Sequence, residues 1–179
     1  MKGTPIMAIP GAFNFQQWIE DNKEFLKPPV NNKAMIVNED FIIMIVGGPN
    51  ERLDYHNEPY SEWFYQLKGN MHVNIIEDGK IRKVEIKEGE TWMLPPNTSH
   101  SPQRPEAGSI GLVVEQVRKP GETEYFQWFC AECATKVYEV EVQLQDIEKD
   151  LPKVYEEFAQ TTDEQRTCPN CSTVHPAVK

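Results

Sequence analysis

Two histidines and a glutamate, set between glycine and proline punctuation, carry the most legible chemistry in this chain. In GPNERLDYHNEPYSEWFYQLKG, His56 is followed by Glu62 six positions later, and Gly69 lies seven beyond that. In GETWMLPPNTSHSPQR, His100 follows Gly89 and a Pro-rich turn at Pro95. Two imidazoles and one carboxylate from neighbouring strands form a facial set that holds a divalent ion and leaves its other face open. These ligands are harder than thiolate and suit iron, manganese or nickel as well as zinc, so residue types alone leave the metal open. A lone strand histidine is more often a packed or surface residue, and His72 in MHVNI and His175 near the end of the chain are read that way.

A second constellation is made of cysteine. Cys130-Ala-Glu-Cys133 and Cys168-Pro-Asn-Cys171 are two C-x₂-C knuckles separated by 34 residues. Such a pair signals a tetrahedral tetrathiolate site filled by zinc or a single iron. Four thiolates leave no open position, so the expected role is structural. Two disulfides are the alternative, disfavoured in a cytoplasmic setting. A thioredoxin-type pair would need one CxxC in a βαβ context, which is missing.

These side chains need a frame. From about 33 to 118 the chain reads as short β segments cut by turns: KAMIVNEDFIIMIVGGP, SEWFYQLKGN, MHVNIIEDGKIRKVEI, ETWMLPPN and SIGLVVEQVRK. Asp78-Gly79 between two alternating apolar runs predicts a tight hairpin. Many short strands with regular turns mean a mainly β fold, an antiparallel sandwich or barrel. Before this region, residues 13–27 place Phe15, Trp18, Ile19, Asn22 and Leu26 near helical spacing, with Asn14 as cap and Pro28-Pro29 as stop. After it, residues 146–160 place Ile147, Leu151, Val154, Tyr155 and Phe158 on one helical face, with Pro152 expected in the first turn.

Composition narrows the function classes. The 179 residues carry a net charge of −10, and 39% are hydrophobic. A chain of this size suits one domain, or one domain with a small appendage. The even acidic excess argues against a nucleic-acid binder, and the acidic neighbourhood of the cysteines (Glu132, Glu139, Glu141, Asp163, Glu164) argues against a DNA-binding zinc ribbon. The longest apolar run, Phe41 to Val46, is too short to span a membrane. MKGTPIMAIPGAF lacks a secretory apolar core, so a soluble, cytoplasmic protein is expected.

The two histidine segments resemble the paired motifs of the cupin superfamily. Glu62, Gly69, Gly89, Pro95 and His100 match those motifs. Gly48 falls two positions early, Glu58 stands where a second histidine would be, Asn97 replaces a glycine, and Arg104 replaces an asparagine. The departure at Glu58 leaves three ligands rather than four. With its surroundings, DYHNEPYSEWFYQLKGNM above all, the whole chain is similar to the 3-hydroxyanthranilate 3,4-dioxygenase family in its short form, whose hallmark is a rubredoxin-like Cys₄ segment.

That resemblance implies a cupin β-barrel or jelly-roll with a few peripheral helices over residues 1–125. A C-terminal extension, 126–179, would carry the second metal, iron or zinc, on Cys130, Cys133, Cys168 and Cys171. It implies catalytic Fe²⁺ on His56, Glu62 and His100, and a small aromatic substrate consumed with O₂ in tryptophan breakdown by the kynurenine route towards quinolinate. By the same resemblance Arg104 and Glu115 clamp the substrate's carboxylate and amine, Arg52 lies near the ring and O₂, and the chain forms a homodimer. Spacing is compatible with this. Arg52 is four residues before His56 and Arg104 four after His100, so each shares a strand face with its histidine. Glu115 interrupts the apolar run GLVVEQV, where a carboxylate needs a partner. Taken alone, the arginines could be surface charges and Glu115 a strand-end carboxylate facing water. A cupin enzyme acting on another small acid and a non-catalytic ligand-binding cupin are the competing readings. Two cations and an anion around the metal argue against an apolar or thiol substrate.

Overall fold

The computed structural model describes residues 11–28, 31–144 and 147–177. Its strands are β1 (Asn32–Val37), β2 (Phe41–Gly47), β3 (Asp54–Asn57), β4 (Glu62–Lys68), β5 (Met71–Glu77), β6 (Lys80–Ile86), β7 (Thr91–Leu94), β8 (His100–Gln103), β9 (Ile110–Gln116), β10 (Glu124–Phe129) and β11 (Lys136–Val142). They pair in two antiparallel sheets, of order β1-β2-β9-β4-β7 and β11-β10-β3-β8-β5-β6. Period-two alternation gives β4, β5 and β9 one inward row each. On β4 that row is Glu62, Phe64 and Gln66, and on β5 it is Met71, Val73 and Ile75. Phe64, Val73, Ile75, Ile86, Leu94 and Val113 from both sheets close the core between them. The expected mainly β, two-sheet fold is therefore present.

The Asp78-Gly79 hairpin forms as the dipeptide predicts. Asp78 (φ 50°) and Gly79 (φ 69°) both adopt the left-handed conformation that matches strand twist, and Glu77 pairs with Lys80 across the turn. The motif position held by Asn97 instead of glycine is also left-handed (φ 56°), a conformation asparagine tolerates better than most residues.

Three expectations change. The first helix is shorter than 13–27: α1 covers Phe15–Asn22, capped by Asn14 Oδ1 accepting from Gln17 N at 2.9 Å, and continues as a 3-10 turn over Lys23–Leu26. Only Leu26 of this segment is buried, so little apolar contact extends the α-helix. The β region runs past 118, because β10 and β11 join the second sheet through β3. β10 spans 124–129, so residues on both sides of position 125 share one strand. Pro152 sits inside α2 (Ile147–Ala159), beyond the first turn, and position 146 lies outside the described residues. The helix tolerates a missing N–H there because packing holds it. Val154 and Phe158 are buried against Trp128 and Val140, with the Phe158 ring stacked 4.0 Å from that of Trp128.

Strand pairing then gathers the polar residues at one end of the barrel. His56 on β3 stands directly opposite His100 on β8, so both rings project from the same face. Glu62 opens β4, and its neighbour Trp63 pairs with Val114, the residue before Glu115. No described helix is long and apolar enough to cross a membrane.

Phe64, 1% exposed at the centre of the core, tests this packing. Phe64→Ala is expected to lower unfolding free energy by about 3–5 kcal/mol in chemical denaturation. A loss below about 1 kcal/mol would show that the sheets do not close on this ring.

Candidate active site and metal centres

His56, Glu62 and His100 converge with all donor atoms within 4.8 Å of one another, and all three are buried. His100 Nε2 lies 2.8 Å from Glu62 Oε1, and His56 Nδ1 lies 3.9 Å from the same oxygen. Three buried donor groups that converge this closely fit a shared cation. The outer nitrogens are committed elsewhere. His100 Nδ1 is 2.9 Å from the Thr98 carbonyl, and His56 Nε2 is 2.6 Å from Glu124 Oε2. A carbonyl or carboxylate in that place fixes the tautomer and leaves the other nitrogen's lone pair for a metal. The Phe126 ring stacks on His56 at 4.8 Å and limits its rotation.

Electrostatics point the same way. Burial opposes the charged form of His100, but Glu62 outweighs it and raises the pKa. Burial likewise opposes the Glu62 carboxylate, which His100 and His56 hold below the usual carboxylate range. Next to it, Glu58 is pushed up to about 11 by burial and by the Glu62 charge. Glu62 thus holds its negative charge while buried, and a divalent cation would neutralise it. The residues present therefore fit a divalent metal. Glu58 forms a second converging group with His56 and Glu124, and its Oε2 lies 3.0 Å from Arg118 Nη2.

Arg104 is 3% exposed, and its Nε and Nη2 have no hydrogen-bond partner. Gly111 makes room for it: a Cβ there would stand 3.1 Å from Arg104 Nη2 and 2.7 Å from Gln66 Oε1. Burial, together with the Arg52 charge, pulls the guanidinium down to about 10. A buried cation without a partner is a ready receptor for an anion. Arg52 is differently placed. Its guanidinium pairs with buried Asp54, and Nη2 donates to the Tyr155 hydroxyl on α2 at 3.1 Å. Burial works against this cation, but Asp54 overrides it and raises its pKa. Glu115 is buried rather than facing water, and Arg118 Nη1 donates to its Oε2 at 2.5 Å. Burial and Glu62 raise its pKa, with Arg118 opposing them.

Sequence reasoning did not single out Arg118, Glu124, Asp54 or Tyr155. Arg118 ties together Glu58, Glu115 and Glu124. The available signals were slight: a glutamate opening the apolar strand EYFQWF, and an arginine three residues after Glu115. Arg118 reaches Glu115 and Glu124 locally, but Glu124 meets His56 only because β10 pairs with β3 across about 70 residues of sequence, which no local pattern reveals. His72 and His175 stand apart from the candidate ligands. His175 is buried against the edge of Phe158.

The four cysteines also come together. Sγ–Sγ distances of 3.4 Å (Cys130–Cys171), 3.5 Å (Cys133–Cys168) and 3.6 Å (Cys133–Cys171) are far longer than a disulfide and near the roughly 3.8 Å edge of a tetrathiolate around zinc. The knuckles repeat one geometry. Cys130 N bonds Thr135 O and Cys168 N bonds Thr173 O, while Ala134 and Ser172 both take positive φ. In each, a threonine hydroxyl (Thr135, Thr173) lies 3.3 Å from the second sulfur. Thr135, followed by the Asn170 side chain, brings the Cys133 thiol down to about 6, favouring the thiolate a metal requires.

A family model for 3-hydroxyanthranilic acid dioxygenase matches residues 7–159. The chain belongs to this family. A 3-hydroxyanthranilate 3,4-dioxygenase of Burkholderia cenocepacia is 49% identical over 164 residues, covering 92% of both chains. One from Shewanella woodyi is 51% identical over 166 residues, covering 92% of this chain and 87% of its own. Among solved structures, a cupin-2 domain containing protein from Shewanella frigidimarina matches with TM-score 0.46 and 15% identity, covering 55% of this chain and 92% of that chain. The residues matched by the family model contain His56, Glu62, His100, Arg52, Arg104 and Glu115 and end at 159.

The two clusters are separable by metal analysis. His56→Ala is expected to lose one equivalent of metal and keep the cysteine-bound one. Cys168→Ser is expected to do the reverse and to lower stability. Loss of both metals from a folded His56→Ala protein would contradict two independent centres.

Proposed function

We propose that this chain is an Fe(II)-dependent ring-cleaving dioxygenase that converts 3-hydroxyanthranilate and O₂ to 2-amino-3-carboxymuconate semialdehyde. The observation that carries this reading is the unpartnered, buried Arg104 guanidinium in a barrel end that also holds the His56–Glu62–His100 cluster. A site with a preset cation and a three-ligand metal set suits a small, flat aromatic acid with neighbouring donors. Membership in the dioxygenase family supports the same substrate.

When bound, Fe(II) would supply the electron exchange that lets O₂ react with the electron-rich ring. The chain supplies position and charge. Arg104 receives the substrate carboxylate, and Gly111 leaves the guanidinium room to do so. Glu115 accepts from the substrate amine, and Arg118 holds the glutamate in place. Asp54 and Tyr155 hold the Arg52 cation, which lies close enough to Arg104 and Glu62 for its charge to act on both. Phe126 and Phe64 supply buried apolar surface that excludes water. The cysteine cluster would hold iron or zinc in a structural role, binding the ends of the segment that contains α2. A homodimer belongs to the same proposal, as does work in the cytoplasm. Val37 and Phe41, 65% and 46% exposed on the β1–β2 edge, offer apolar surface for a second copy.

The deciding assay uses protein loaded with Fe(II) under nitrogen, given 3-hydroxyanthranilate and then air. One O₂ consumed per substrate, with the semialdehyde's absorbance appearing, is the expected result. Absence of turnover with the iron bound would overturn the reading. In the same assay Arg104→Gln should raise KM by about 10- to 100-fold, the size of a lost charge-assisted bond to a carboxylate. An unchanged KM would remove Arg104 from the substrate site.

A further inference from the structure

Arg118 is the most heavily engaged side chain in the barrel end, and the proposed reaction gives it no direct part. It is 8% exposed. Its Nε donates to Glu124 Oε1 at 2.9 Å and its Nη2 to Glu124 Oε2 at 3.4 Å, a forked grip on one carboxylate. Its Nη1 donates to Glu115 Oε2 at 2.5 Å, and Nη2 also lies 3.0 Å from Glu58 Oε2. Two of these partners lead to different halves of the site. Glu124 Oε2 is 2.6 Å from His56 Nε2, the nitrogen turned away from Glu62. Glu115 is the carboxylate assigned above to the substrate amine.

We propose that Arg118 is a positioning residue that orients the outer-shell carboxylate of the metal ligand His56 and the substrate-side carboxylate Glu115 with a single guanidinium. This rests on the function proposed above and extends it by joining metal affinity to substrate affinity through one side chain. Only a planar fork can do this. Glu124 takes two donors from one edge of the guanidinium, and Glu115 takes a donor from the other terminal nitrogen. An ammonium has the charge but cannot hold both carboxylates at these angles. The contacts are also shielded: Glu124 and Glu115 are buried and little of the Arg118 side chain meets solvent, so water cannot readily replace a lost donor.

The test compares wild type, Arg118→Gln and Arg118→Lys as full-length proteins with the cysteine site loaded. Two dissociation constants are measured under nitrogen. One is for Fe(II), by competition with a chromophoric chelator; the other is for 3-hydroxyanthranilate binding to iron-saturated protein. For Arg118→Gln both are expected to rise by about tenfold or more, the usual loss when an outer-shell partner or a charge-assisted bond is removed. Arg118→Lys should also weaken both, by less, and carries the test if the glutamine variant does not fold. A merely structural arginine would lower the melting temperature and leave both constants of the folded protein at wild-type values; that result overturns the proposal. A change in only one constant overturns it too, because the coupling would be absent. Wild-type protein that binds the compound without turning it over would defeat the function reading and leave this test intact. Wild-type protein that does not bind it defeats both.

Discussion

Four glutamates, at positions 58, 62, 115 and 124, are withdrawn from water within one end of a small barrel. A buried carboxylate is costly unless cations or donors meet it, and removing one partner of a buried pair commonly costs about 3–5 kcal/mol. The neighbouring arrangement can be read as an answer to that constraint. Arg118 meets three of the carboxylates, the imidazoles meet Glu62 and Glu124, and the converging His56–Glu62–His100 atoms offer a place for a divalent ion. Each answer also orients a group. The carboxylate that neutralises Arg118 also fixes the His56 ring, so charge balance and geometry are set by the same contacts.

The two guanidiniums beside this cluster differ in a way that their spacing conceals. Arg52 and Arg104 stand symmetrically four residues from a histidine, yet one is held by Asp54 and Tyr155 and the other keeps two unpartnered nitrogens. The difference arises from what lies opposite. Arg104 lies beside Gly111, which leaves space, whereas Arg52, in the loop before β3, meets the acid that opens that strand and a phenol from α2. An arginine that is already paired is held still, and one that is not is available to a ligand.

Much of this was legible in the sequence. The period-two rows of β4 and β5, the Asp78-Gly79 turn and the spacing of His56, Glu62 and His100 are local signals, and local signals survive folding. The CxxC knuckles were equally plain, since residue type and separation define them. What escaped was non-local or doubly covered. β10 lacks clean alternation because the sheet's inner side and α2 bury its two faces, so EYFQWF does not read as half-exposed. Glu124 is unremarkable until β10 lies beside β3 and brings it to His56. Pro152 was placed by helix rules that packing of Val154 and Phe158 overrides. Asn97 shows the reverse: a motif glycine was replaced, but the left-handed backbone persisted because asparagine supports it.

The layout along the chain has a consequence for synthesis. Every residue of the His56–Glu62–His100 cluster, both arginines beside it, Glu115, Arg118 and Glu124 lie before position 125, whereas the cover over β10 comes from α2 and the second cysteine knuckle comes later still. A chain emerging from the ribosome in order therefore completes its candidate catalytic ligands well before it can shield Trp128 and Phe126 or close the cysteine cluster. During that interval the strand behind His56 presents an apolar flank to the surroundings. The apolar flank stays open until α2 has been made, a vulnerability that the finished fold no longer displays.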